Sequence, residues 1–290
     1  MSGKSALSLL VTFSLFFAGC AASNTMGKQA AQTADINKAE AASAAPEDKG
    51  PKAEAKKQYI AGLISMNHAN WEKAAEHFLE AIKLNPDHYN TRMYLARVYE
   101  KMKKNPEAAD QYKEAIKLKP DNPNPYAGLI GVYLDMGLPD DAIATVADAT
   151  GKGLKESEFV GDLGWAYYVK GDFGNAEKYF KEAKELNKDD STPRNNLGLL
   201  YFRQGRYDDA LASFKEGAEL NKKSVVLPYF MALTYNRLGR DDEVLNALRE
   251  GLKRDPDLEK KANSYNASFL PGADPGDLSA VFKKLKEEKN

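Results

Sequence analysis

Residues 191–224 read STPRNNLGLLYFRQGRYDDALASFKEGAELNKKS. Small residues stand at Gly198, Ala210 and Gly217, aromatics at Tyr201, Tyr207 and Phe214, and Gly205 separates two apolar halves. Moving 34 residues in either direction returns the same residue types. Ala74, Ala108, Ala142, Ala176 and Ala210 form one series, which lands next on Val244. Four positions on come Phe78, Tyr112, Val146, Phe180, Phe214 and Leu248, and three further Ala81, Ala115, Ala149, Ala183, Gly217 and Gly251. The preceding half gives Tyr99, Tyr133, Tyr167, Tyr201 and Tyr235, and Gly137, Gly171, Gly205 and Gly239 share another phase. A fixed period over six units without an insertion marks a repeat architecture, in which each unit buries its apolar face against the next.

The pattern Leu197-Gly198, Tyr201, Gly205, Tyr207, Ala210, Phe214 resembles the tetratricopeptide repeat. The resemblance covers residues 55–258 as six units: 55–88, 89–122, 123–156, 157–190, 191–224 and 225–258. It implies an all-α fold, a right-handed superhelical solenoid of helix-turn-helix units (helix A, then helix B). The chemistry agrees. Small residues let helices approach closely, the mid-unit Gly suits a left-handed cap on helix A, and Asp140-Asp141, Asp208-Asp209 and Asp241-Asp242 open helix B where the dipole favours negative charge. Thr150-Gly151-Lys152-Gly153 predicts a short helix B in the third unit. After Pro256, residues 259–273 read as an irregular connector. Asp274-Pro275 then starts a helix whose Leu278, Val281, Phe282 and Leu285 form one stripe, a cap on the last repeat or, alternatively, a partner-binding helix.

The N-terminus reads as an address. Lys4 precedes an apolar run from Ala6 to Phe17, too short to span a bilayer and of the length of a signal peptide. The run ends Phe17-Ala18-Gly19-Cys20, which resembles a bacterial lipobox; an ordinary secretory signal with a chance Cys is the alternative. The lipobox implies removal of residues 1–19 and covalent lipid on Cys20, the one Cys in the chain, as the membrane anchor. Two or more acyl chains hold a protein stably at a bilayer. Ala21, in place of an inner-membrane-retaining Asp, implies the periplasmic face of the outer membrane. Residues 20–54 follow as an Ala-rich tether with almost no large apolar side chain, ended by Pro46 and Pro51.

Composition narrows the function. Forty-one basic against 42 acidic residues, with no basic stripe, argue against nucleic acid. No P-loop, G-x-S-x-G or H-E-x-x-H motif occurs, so no enzyme, cofactor or metal site is expected. His68, His77 and His88 lack the spacing of a helix-face metal pair and read as surface residues.

The family's concave face is lined by helix A positions two, five, nine, twelve and thirteen. That transfer yields a candidate groove of Trp165, Tyr168, Asn195, Leu199, Phe202, Arg203, Tyr229, Leu233, Asn236 and Arg237, with Arg97, Glu100, Gly131 and Asp135 as a more polar stretch in units two and three. The alternative is that these aromatics and Leu only pack against neighbouring helices. Tyr59 and Leu63 stand where the family's terminal-carboxylate clamp places Lys and Asn, which argues against a chaperone-tail clamp. The resemblance therefore implies a non-catalytic scaffold gripping a protein or peptide segment of an envelope complex. Lipobox, tether and repeats together are similar to the pilotins of type IV pilus secretins and to the repeat lipoproteins of tight-adherence pili. A cell-wall adaptor that docks murein hydrolases or proteases is the alternative.

Overall fold

The computed structural model describes residues 50–269 and 278–287. The expected signal peptide, Cys20, most of the expected tether and the expected helix start at Asp274-Pro275 lie outside the described residues. Fourteen α-helices and one 3-10 turn make up the described chain, with no strand among them. They fall into two compact bodies divided after Lys170.

The first body holds α1 (Pro51–Asn67), α2 (Trp71–Leu84), α3 (Tyr89–Lys101), α4 (Asn105–Leu118), α5 (Pro123–Asp135), α6 (Pro139–Gly151), the 3-10 turn Glu156–Glu158 and α7 (Val160–Lys170). Each helix packs on the next, as antiparallel hairpins joined by short turns require. The expected tether boundary moves. Pro51 is the first residue of α1 and starts the helix rather than stopping one, because a proline at that position sacrifices an N–H that has no partner anyway. Asn70 accepts from the Lys73 N–H at 3.2 Å and so caps α2. The short helix B expected in the third unit is shorter by one residue only: α6 runs 13 residues against 14 in the other helices B. Gly151 ends it, and Gly153 at φ 94° turns the chain. The helix that follows, α7, has 11 residues.

Packing follows the 34-residue phase. Phe78 from α2 stacks on Tyr94 from α3, ring centroids 6.1 Å apart, within a core that also holds Leu63, Leu95 and Val98. Gly62 lies under the same ring, where an added Cβ would stand 2.5 Å from it.

The second body holds α8 (Phe173–Leu186), α9 (Thr192–Arg203), α10 (Tyr207–Leu220), α11 (Leu227–Arg237), α12 (Asp241–Arg254), α13 (Leu258–Phe269) and α14 (Ser279–Glu287). The same device recurs: Phe214 stacks on Phe230 at 5.7 Å and covers Gly198. Gly205 (φ 74°) and Gly239 (φ 68°) end α9 and α11 in the left-handed conformation expected of them. The Arg206 N–H then reaches back to the Tyr201 carbonyl at 2.9 Å. Residues 259–273 are not an irregular connector as far as Phe269. Residues 258–269 form α13, nucleated by Leu258, which is fully buried over the bare backbone of Gly251. The C-terminal stripe is a cap: Leu278, Phe282 and Leu285 are buried, α14 packs on α12, and Lys286 pairs with Glu259 at 2.5 Å.

Candidate partner-binding face

In both bodies the helix A side chains divide into a buried row and an accessible row. Trp165, Tyr168, Leu199, Phe202, Tyr229 and Leu233 are between 1% and 7% exposed. Trp165 meets Tyr168 edge-on at 5.0 Å, Phe202 meets Tyr207 at 5.4 Å, and Tyr229 is covered by Tyr265 of α13 at 6.0 Å. The aromatic floor expected from the sequence is thus core. These six side chains face neighbouring helices at this close packing, and the reading in which they only pack describes their placement. Tyr59 is half-buried, packed between Phe78, Tyr94 and His88.

What solvent can reach is polar. In the second body Arg203 and Arg237 are exposed, one per repeat at position thirteen, while Asn195 and Asn236 are half-buried. The Arg203 guanidinium lies 5.6 Å from the centre of the Phe173 ring, a cation–π contact that steadies it. Asn195 Oδ1 is buried without a hydrogen-bond partner, above Gly217. These four of the expected groove residues are grouped on α9 and α11 within one body. Trp165 and Tyr168 belong to the other body.

The first body contributes a set that the sequence shows only as a more polar stretch. Glu100 accepts from Tyr112 Oη at 3.2 Å, Arg97 stands over the Tyr94 ring, and Asp135 Oδ1 is buried without a partner. Burial pushes the Glu100 carboxyl up to about 7, against the opposing pull of the Tyr112 hydrogen bond and Arg97. Burial pushes Asp135 up to about 7 as well. An acid at positions twelve and thirteen of successive helices A was the available signal. Its burial depends on how Tyr112 packs, which no repeat pattern specifies. Of the three His, His77 bonds Gln58 at 2.8 Å and His88 bonds Thr91 at 2.5 Å; both are half-buried, and His68 is exposed. The expectation of three surface His is therefore corrected for two of them.

Family models for the tetratricopeptide repeat match residues 102–161, 132–191 and 194–224. A model described as regulator of microtubule dynamics protein 1-3 matches residues 51–125, about a quarter of the chain. Among solved structures, the chain is similar to the APC/C hetero-tetramer Cut9-Hcn1, at TM-score 0.61 and 19% identity, over 78% of this chain and 44% of that one. It is similar to PilW, described as a widely conserved type IV pilus biogenesis factor, at TM-score 0.59 and 16% identity, over 79% of this chain and 98% of that one. It is also similar to pilF of Pseudomonas aeruginosa, at TM-score 0.55 and 16% identity, over 83% and 100%. The chain thus spans less than half of the Cut9-Hcn1 chain. A comparison with curated proteins finds no match. The repeat models and the helical hairpins show that residues 102–191 and 194–224 carry tetratricopeptide repeats, the kind of unit from which protein-interaction scaffolds are built.

Proposed function

We propose that the chain is a lipid-anchored, non-catalytic adaptor on the periplasmic face of the outer membrane. In this reading its helix A faces hold a segment of a pilus or secretion component. The observation that supports the reading is one of extent: the match to PilW takes in 79% of this chain and 98% of that one, so the two arrays are alike in extent. The lipobox-like Phe17–Cys20 and the tether supply the anchoring side of the proposal. Arg203 and Arg237, with Asn195 and Asn236 beside them, are the groups that grip a partner. Planar guanidinium and amide groups recognise carboxylates and backbone amides in defined orientations.

The test is capture of partners by crosslinking in native envelopes, with Arg203→Glu/Arg237→Glu as the comparison. Both positions are exposed, so the variant retains its fold, whereas truncating buried Trp165 or Phe202 would unfold a repeat. A pilus or secretin component recovered with the native chain and lost with the variant supports the proposal. Murein hydrolases or proteases recovered equally with both would overturn it in favour of a cell-wall adaptor. Cys20→Ser should release the chain from the membrane fraction, and membrane retention by that variant would sink the anchoring half.

A further inference from the structure

Glu100 near the end of α3 and Asp135 at the end of α5 flank the seam where the second hairpin meets the third. Tyr112 of α4 bridges that seam. Its ring lies so close to the Gly128 backbone of α5 that a Cβ there would collide with it, and its hydroxyl donates to Glu100 on α3. Asp135 follows Gly128 by seven residues, two helical turns, and shares its face. The Asp135 carboxylate interacts electrostatically with Glu100, and its buried Oδ1 meets no donor. Two like charges at a closed seam, one with an unpaired buried oxygen, is a costly arrangement. A proton on either carboxyl relieves it by removing one charge and adding an O–H donor.

We propose that Glu100 and Asp135 form a proton-dependent latch, which keeps the seam between the second and third hairpins closed while a proton is held there and loosens it when both groups ionise. Burial is the dominant influence on both carboxyls and raises each to about 7. The charged groups that face them are Arg97 and Lys101 from α3 and Lys103 from the α3–α4 turn, all pulling downward; the Tyr112 hydroxyl comes from α4. The folded seam therefore binds protons more tightly than the unfolded chain does. Its stability falls as pH rises from about 4.5 toward 7, and the loss is complete above that. The helix A face of this body, which carries Arg97 and Glu100, is then remodelled by protons alone.

Hydrogen–deuterium exchange of the full chain between pH 6 and 8, corrected for intrinsic exchange, tests this. Peptides from 93–101 and 126–136 should lose protection by about tenfold for each carboxyl that gives up its proton across this window. Peptides from 193–203 in the other body should not change. Glu100→Gln/Asp135→Asn should flatten the profile. If that double variant fails to fold, Asp135→Asn alone leaves one titrating group and should show a reduced drop. A wild-type seam whose protection ignores pH, or an undiminished drop in a folded variant, would overturn the latch.

Discussion

Ala69 and Lys103 occupy the left-handed turn position that glycine fills in the later units, at φ 53° and 60°. An L-residue there costs about 1–2 kcal/mol, while glycine gives back about 0.5–1 kcal/mol in unfolded-state entropy. Strain wins, so Ala69→Gly should stabilise by about 0.5–1 kcal/mol in urea unfolding. Gly198 is the opposite case: its conformation suits any residue, but a methyl would stand 2.5 Å from the Phe214 ring. Gly198→Ala should destabilise by about 1–3 kcal/mol through overpacking. The two positions were equally visible in the repeat pattern. Only the packed ring distinguishes a glycine needed for space from one needed for its φ. Two glutamates diverge in the same way. Burial opposes ionisation of Glu177, but hydrogen bonds from Lys181 and Tyr201 and the nearby Arg206 outweigh it and hold its carboxyl below the usual range. Its stabilisation is present above about pH 4.5 and is lost as pH falls through the lowered value. Glu100 has the reverse sign. Urea titrations at pH 8 should show Glu177→Gln less stable and Glu100→Gln more stable than the native chain, and both differences should shrink toward pH 4. Glu100→Gln weakening the protein at pH 8 would refute the assignment of its buried charge.

At the scale of elements, the 34-residue period made the hairpins legible, because small residues and aromatics at fixed phases are what close helix packing demands. The helix ends were less so. Pro51 at the start of α1 and Leu258 at the start of α13 act through tertiary fit: Pro51 leads into a helix that packs on α2, and Leu258 fills the space over Gly251. The candidate groove failed for a related reason. The resemblance implies that positions nine and twelve of helix A line the groove, yet helices this close leave Trp165, Phe202 and Leu233 no exposed side. Arg203 and Arg237 at position thirteen are exposed, and Asn195 and Asn236 are half-buried beside them. The cap α14 was legible, since a terminal repeat with an uncovered apolar face needs a cover. Phe282 carries it, buried together with Leu278 and Leu285. Phe282→Ala should cost about 3–5 kcal/mol of local stability. Hydrogen exchange should then quicken in α12 and α14 while α2 and α3 are unaffected; uniform quickening would mean that the cap is not a local element.

For the whole molecule, stability in such an array is the sum of each repeat and its contacts with immediate neighbours, so damage should stay near its origin. Phe78 and Phe214 occupy the same phase of their units, each fully buried, each stacked on the next helix A, and they lie in different bodies. Truncating either to Ala should cost about 3–5 kcal/mol. With no shared partner, the two losses should add to within about 0.5 kcal/mol when combined. Thermal unfolding should accordingly lose its single transition in each variant, with Phe78→Ala melting 51–101 early and Phe214→Ala melting 192–237 early, resolved by peptide-level exchange during heating. Strong non-additivity, or one transition moving as a unit, would mean that the bodies fold as one cooperative block, and a loosened Glu100–Asp135 seam would then weaken the Arg203 and Arg237 face as well. Local melting would leave that face intact while the first body responds to pH between about 6 and 8, so that the response of the Glu100–Asp135 seam stays within the body that carries it.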